Sequence, residues 1–304
     1  MGKLKVYLKE HEARWVAIGT VAAMFTWGLS WPAGKILSAH GSAISIAFIR
    51  YMVIFISMFF ILCIFRVPIK IKLNGLKFLI PAAICLAFYN FVFLKGLQAG
   101  FAGAGGVLVT TMNPIFAYSI GLLISRKIPG KNEVIGLVLG LCAGIFQLNL
   151  WHSVDKIFEA GNLYFLAGAL VWAIMSKFTS RAGYYGNSFA FSLWMYLTTF
   201  IFFFIPVDLS EIHAIWIKTD IYFWLVMLFF GMGATSIATS FYFFATTRLG
   251  AERASSFIFL VPVSAAFSSY AFLGEVIQWH TIFGGLLGII AVYMINRKIG
   301  PLKD

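Results

Sequence analysis

The chain has 304 residues, of which 61% are hydrophobic and only 11% charged. A soluble domain is about a quarter charged, and a globule of this length cannot cover so much apolar material with polar surface, so a water-soluble fold is excluded. The net charge of +12 does not indicate nucleic acid. The basic residues sit in short loops between uncharged runs, not on a face interleaved with stacking aromatics.

A helix needs about 20 apolar residues to cross a bilayer. Ten such segments are predicted, near 15–35, 44–65, 76–95, 102–125, 133–151, 161–180, 187–207, 221–245, 254–273 and 277–296. In lipid their backbone groups must bond internally. Runs of this length without alternation predict helices and not a barrel. No cleavable signal is expected at the charged N-terminus, so the first segment stays in the protein.

The first helix carries the run WGLSWPAGK over 27–35. Pro32 removes a backbone bond and kinks it. Trp31 fits the interfacial belt, whereas Trp27 lies deeper and fits a cavity. Counted from Trp15 at the interface, Trp27 is twelve residues along, or about 18 Å at 1.5 Å per residue. Helix two holds Arg50 about two turns inside. It is expected to be a structural charge that snorkels or bonds backbone carbonyls near the helix end. Helix three places Tyr89 and Asn90 near mid-depth. Helix four carries Thr110-Thr-Met-Asn-Pro114, where Pro114 and Asn113 both need partners that lipid does not supply. Helix five has the small-residue run Gly136–Gly140–Gly144, and helix ten has Gly284 and Gly288. Such runs mark close helix contacts, in one chain or between two. Helix six carries Trp172, with Lys177 and Arg181 near its end. Helix eight has Thr235, Ser236, Thr239, Ser240 and Tyr242. Helix nine repeats the mid-span proline at Pro262 and is followed by Glu275.

Loop charge sets the expected orientation. With the N-terminus in the cytoplasm, eighteen of the 23 Lys and Arg residues fall on the cytoplasmic side. Only Lys35, Lys95, Lys156 and Lys218 fall opposite, and Arg50 lies within the membrane. Both termini are therefore expected in the cytoplasm. A shift of 148 residues superposes Pro114 on Pro262, Gly136 on Gly284 and Gly140 on Gly288. The same comparison sets the basic loop 66–77 against the acidic loop 208–220. Five helices per half is an odd number, so the second half is expected to be inverted, a transporter arrangement. The domains are then 1–151 and 152–304.

Catalytic signatures are absent: there is no HExxH, GxSxG or GxxxxGK[ST]. Cys63, Cys85 and Cys142 are odd in number and form no CxxC pair, so neither a disulfide framework nor a zinc site is predicted. No cofactor or metal is expected.

Taken in order, Trp27-Gly with Lys35, Arg50, Pro114, Gly161-Asn-Leu with Trp172-Ala, Pro262, Gly274-Glu275 and Gly284 resemble the EamA branch of the drug/metabolite transporter superfamily, over about 15–297. The resemblance implies an all-α membrane protein of ten helices in two inverted five-helix repeats. It also implies a central cavity lined by helices one, three, four, six, eight and nine. Members look like exporters or exchangers of amino acids, aromatic compounds and other metabolites. One departure is Lys127, where the family often has an acid.

The expected function is a secondary transporter in the cell inner membrane that moves a small solute, such as an amino acid, outward by alternating access. The alternatives are a lipid flippase or a nucleotide-sugar-type exchanger on the same fold, and a membrane-embedded enzyme. Expected site residues are Trp27, Tyr89, Asn90, Asn113, Trp172 and Tyr242 for the solute, Pro32, Pro114 and Pro262 for kinks or gating, and Arg50 and Glu275 as structural charges. The expected partners are the solute and membrane lipid, with the chain a monomer or homodimer.

Overall fold

A computed structural model describes residues 2–100, 102–125, 130–148, 151, 160–273 and 279–296. Glu275 and Lys127 lie outside these residues. The described chain is helical, and its only β feature is an isolated bridge between Ile71 and Gly186.

In chain order the helices are α1 (Gly2–Ser38), α2 (Ala43–Ile64), α3 (Leu76–Ala99), α4 (Ala102–Ser125), α5 (Lys131–Leu148), α6 (Ala160–Thr179) and α7 (Ser188–Phe204). They continue with α8 (Leu209–Lys218), α9 (Ile221–Leu228), α10 (Ser240–Leu249), α11 (Ala251–Ser256), α12 (Val261–Leu273) and α13 (Trp279–Asn296). α1 starts well before its apolar stretch, because the leading Lys, Leu and Glu residues are good helix formers. It runs through Pro32 without a break. Caps fix other starts: the Ser42 side chain accepts from the Ser45 N–H ahead of α2, and Asn187 accepts from Phe189 N–H ahead of α7.

The connection at 208–220 holds α8, a helix that its polar composition did not predict. Asp208 caps it by accepting from the Ser210 N–H at 2.9 Å. Two further helices are irregular inside. Between α9 and α10, Phe229–Thr239 is wound as a π-helix, and between α11 and α12, Phe257–Leu260 is a 3₁₀ turn.

Among the described residues, five helical runs are long and apolar enough to cross a membrane: Glu12–Ser38, Ala43–Ile64, Leu73–Ala99, Gly161–Tyr184 and Ile221–Leu249. A sixth is formed if α7 and α8 count as one span, although they bend by 105°. Large apolar side chains such as Phe60, Ile64, Ile84, Ile217 and Leu225 are more than half exposed along these helices. So much outward apolar surface is stable only against lipid. The chain is an integral membrane protein.

The helices pair regularly. α3 packs along α6, while the Ile221–Leu249 helix packs along α1. α4 lies on α6, and α12 lies on α1. α2 meets α7, and α5 meets α13. Glycine sets two of these crossings. A Cβ on Gly28 of α1 would sit 2.6 Å from the Ala265 backbone nitrogen of α12, so the two helices touch through their backbones. A Cβ on Gly136 of α5 would sit 3.0 Å from the Ala291 carbonyl of α13. The helix-five glycines therefore serve contacts within one chain.

Candidate functional site

A cavity opens where these pairs converge. Its walls come from α1 (Trp27, Ser30, Trp31), α2 (Arg50, Tyr51), α3 (Leu86, Tyr89, Asn90, Phe93), α4 (Val109, Thr110, Asn113), α6 (Trp172), the π-helical stretch (Phe230, Ala234, Thr235, Thr239), and Ile258 and Val261. The internal space is about 60 Å³. That volume takes a few waters, well short of the several hundred Å³ of an open small-molecule pocket.

Five of the six residues expected to meet solute are brought together here: Trp27, Tyr89, Asn90, Asn113 and Trp172. The sixth, Tyr242, is not in the wall. It is fully buried behind it, with its hydroxyl 3.0 Å from Ser176 Oγ and 3.1 Å from Ser255 Oγ, and its ring supports those of Trp27 and Trp172. Three helices converge on that phenol, so it has no face left for the cavity. Trp31 departs from expectation too. It is only 7% exposed, lines the cavity and packs on Phe93 and Phe165, so it is not an interfacial anchor.

Arg50 is the decisive group. It neither snorkels nor bonds backbone. Its Nη1 donates to Asn90 Oδ1 at 2.7 Å and its Nη2 to Thr235 Oγ1 at 2.8 Å. The guanidinium carbon lies 3.6 Å from the centroid of the Phe230 ring, a cation–π contact in a desolvated place. Asn90 in turn donates through Nδ2 to the Tyr51 hydroxyl at 2.6 Å and to the Leu86 carbonyl at 2.8 Å. Tyr51, Asn90, Arg50 and Thr235 thus form one polar chain across α2, α3 and the π-helical stretch. Arg50 Nε has no hydrogen-bond partner. No Asp or Glu is among the cavity residues.

The π-helical winding places these partners. Thr235, Ser236 and Thr239 each donate to the carbonyl five residues back, at 3.2, 3.4 and 2.8 Å. Such wide turns collect at functional sites. Trp27 reaches into the same turn, where its Nε1 donates to the Ala234 carbonyl at 3.2 Å and to Thr239 Oγ1 at 3.1 Å. Asn113 is fully buried. Its Nδ2 donates to the Ala169 carbonyl of α6 at 3.0 Å, while its Oδ1 has no partner.

The prolines stand beside the cavity and not in it. Pro114 lies within an unbroken α4, one residue after Asn113. Pro262 is the second residue of α12, directly after the 3₁₀ turn that brings Ile258 to the wall. Pro32 follows Trp31 in a continuous α1.

Both ends of the bundle are tied. At the end holding the α1 C-terminus, Lys35 donates to the carbonyls of Leu97 and Gly100, capping α3. Glu211 of α8 accepts from Ser42 N (2.5 Å), Ser42 Oγ (2.7 Å) and Ser45 Oγ (2.5 Å) at the start of α2. At the opposite end Lys177 of α6 pairs with Glu252 of α11, and Glu12 of α1 with Arg248 of α10 at 3.3 Å. Sequence reasoning passed over Glu211, Glu252, Tyr51 and Phe230. Only the first two carried a signal, as isolated acids next to helix starts.

Comparison with known proteins agrees with this architecture. The EamA-like transporter family matches the chain twice, over residues 14–149 and 159–297. The uncharacterized transporter YvbV of Bacillus subtilis (strain 168) is 24% identical over 284 residues, covering 90% of this chain and 88% of its own. The uncharacterized transporter YdfC of the same organism is 24% identical over 252 residues, covering 80% and 79%. One crystal structure superposes with a TM-score of 0.66 at 14% identity, covering 93% of this chain and 97% of its own, a likeness of fold. With both halves matched and relatives of nearly equal length, the chain belongs to the EamA-like transporter family and is a membrane transporter, not an enzyme.

Proposed function

We propose that this protein is a secondary transporter that moves a small amphipathic metabolite, of the size and character of an amino acid, out across the inner membrane by alternating access. Ten helices in two inverted five-helix halves, 1–151 and 152–304, carry the motion, with both termini cytoplasmic. The chain works as a monomer or homodimer.

The observation that carries this reading is the cavity itself. It lies between the two halves and joins aromatic walls to buried polar groups, Asn113 Oδ1 among them, that lack partners. A permanent structural core leaves few such groups, and seldom several around one space. The helix pairing supports the inverted halves. Exchanging the first five long helices for the second five turns the α3–α6 pair into the α10–α1 pair, and α4–α6 into α12–α1. The shift of 148 residues also carries Thr110 and Asn113 onto Ile258 and Val261, and all four line the cavity. Ties at both ends, with little space between them, suit a carrier caught between its open states.

The test is counterflow in proteoliposomes. Vesicles preloaded with a metabolite panel are diluted into trace labelled solutes. Accumulation that depends on the protein, and is lost when Asn113 is replaced by Leu, supports the reading. Protein-dependent flux that saturates with no solute, or lipid scrambling in its place, overturns it.

A further inference from the structure

The geometry points to Arg50 as the anion-binding residue of this cavity, taking the carboxylate of a small monoanionic solute whose apolar body rests on the surrounding aromatics. The inference rests on the transport reading and narrows the solute class.

Three observations carry it. First, Arg50 is buried and lines the cavity without an acidic partner, since no Asp or Glu is in the wall. Burying an unneutralised cation costs several kcal/mol, more than its contact with the Phe230 ring returns, so a residue kept only to join α2, α3 and the π-helical stretch is better off without the charge. A neutral amide would join Asn90 and Thr235 without that cost.

Second, the guanidinium is held but not used up. It has five N–H donors. Nη1 and Nη2 donate to Asn90 and Thr235, and Nε donates to nothing. Phe230 covers one face of the plane at 3.6 Å and fixes its tilt, and the buried Nε–H on its edge stands unbonded. An edge of Nε–H beside an Nη–H is the fork that receives two carboxylate oxygens. Asn90 and Thr235 act as positioning residues here. They orient the fork without meeting the solute charge.

Third, the charge count sets the valence. One cation and no second Lys or Arg line the cavity. One carboxylate neutralises it, whereas a phosphate ester would bring an excess negative charge into a desolvated site. Asn113 Oδ1, the unpartnered acceptor on α4, adds a requirement for a hydrogen-bond donor on the same solute. Trp27, Trp172 and Tyr89 provide the apolar walls. The solute class is therefore a small hydroxy-carboxylate, or another monocarboxylate with one neutral hydrogen-bond donor, with an apolar side.

The loaded site is then neutral and the empty site carries +1. Closing the bundle over a neutral site is the cheaper movement, so the solute itself favours passage.

The test uses the wild-type protein in nanodiscs, read by tryptophan fluorescence, because Trp27, Trp31 and Trp172 line the cavity. The probes share one apolar body and differ in charge: phenylacetate, phenyllactate, phenylacetamide, phenethylamine and phenyl phosphate. A hydrogen-bonded charge pair is worth about 1.5–3 kcal/mol, so the two carboxylates should saturate at concentrations at least about ten-fold below the other three. Arg50→Gln should weaken the carboxylates by ten-fold or more and leave phenylacetamide unchanged. If that variant does not fold, the wild-type series alone decides. Equal or tighter binding of the amide, the amine or the phosphate overturns the inference, as does carboxylate binding unaltered in Arg50→Gln, or a lack of any carboxylate binding. Counterflow on the same preparation keeps the two readings apart. A bound carboxylate that never crosses sinks the transport reading and leaves the anion site, and a neutral solute that crosses does the reverse.

Discussion

The guanidinium of Arg50 rests 3.6 Å from the centre of the Phe230 ring, while Asn90 and Thr235 hold its two terminal nitrogens. A cation on an aromatic face in a desolvated site gains about 2 kcal/mol. Phe230→Leu keeps the apolar bulk and loses the π face, so it should destabilise the protein by about that amount. In an Arg50→Gln background the same change should cost roughly half as much or less. Thermal denaturation of the four proteins in detergent measures the coupling. Equal effects in both backgrounds would mean that Phe230 contributes packing alone.

Single cysteines at Trp27, Asn90, Asn113 and Trp172 should react with small water-soluble thiol reagents, once Cys63, Cys85 and Cys142 have been replaced. A transported solute should slow all four. A cysteine at Tyr242 should stay unreactive, because that side chain does not line the cavity and packs behind its wall against Ser176 and Ser255. Rapid labelling at Tyr242 with silence at the other four would displace the cavity from where these helices converge.

Lys177 and Glu252 close the end of the bundle at α4, α6 and α11. A Cβ on Gly121 of α4 would lie 2.4 Å from Glu252 Oε1, so the pair sits directly on that helix. The Lys and Glu side chains are 21% and 35% exposed, and a pair so placed is worth about 1 kcal/mol. Glu252→Gln should therefore favour opening at this end by about five-fold, measured as faster labelling of the Asn113 cysteine from the side of the membrane that bears this pair. Slower labelling would assign the pair to the open state.

Glu211 ties α8 to the start of α2. Burial pushes its carboxyl pKa up, but the hydrogen bonds from Ser45 and Ser42 outweigh this and hold it below the usual carboxylate range. With the folded value depressed, the tie is fully present above the unfolded value and is lost as pH falls through the folded one. Melting temperature in detergent should be flat near neutrality and fall in the acid range below the ordinary carboxylate pKa. Glu211→Gln should lower the plateau and remove that part of the acid loss. An unchanged acid limb in the variant would point to other carboxylates.

Reporter fusions should place both termini and the loops near 70, 129, 182 and 251 in the cytoplasm. The 66–77 loop, with its four basic residues, is the sharpest case. An external signal there would undo the inverted arrangement.

Helix positions are largely legible in the chain, because each apolar run ends at charge, proline or a capping residue. α4 covers the predicted 102–125, and α2 and α6 differ from prediction by one residue at each end. What escapes is winding and bending. Nothing in FFGMGATSIAT announces five-residue hydrogen bonds, since its glycines and hydroxyls also suit an ordinary helix. α8 escapes because its ten residues mix polar and apolar types within a short connection. Trp27, Asn90 and Asn113, singled out by depth, all stand in the cavity wall, as does Trp31, while Tyr242 at similar depth stands behind it, because depth does not say which way a side chain faces. Arg50 is conspicuous from its charge, but its three partners come from α3 and the π-helical stretch, and only the fold brings them together.

The wide turn at Phe229–Thr239 makes the cavity wall a matter of counting. Side chains five apart, Phe230, Thr235 and Ser240, follow one another up this stretch, where an ordinary helix would align residues three or four apart. Loss of a single residue there would rewind it and swing a methyl or a second hydroxyl into the place of Thr235, leaving the flanking helices in register. The shape of this wall thus depends on the length of the stretch as much as on the side chains it carries.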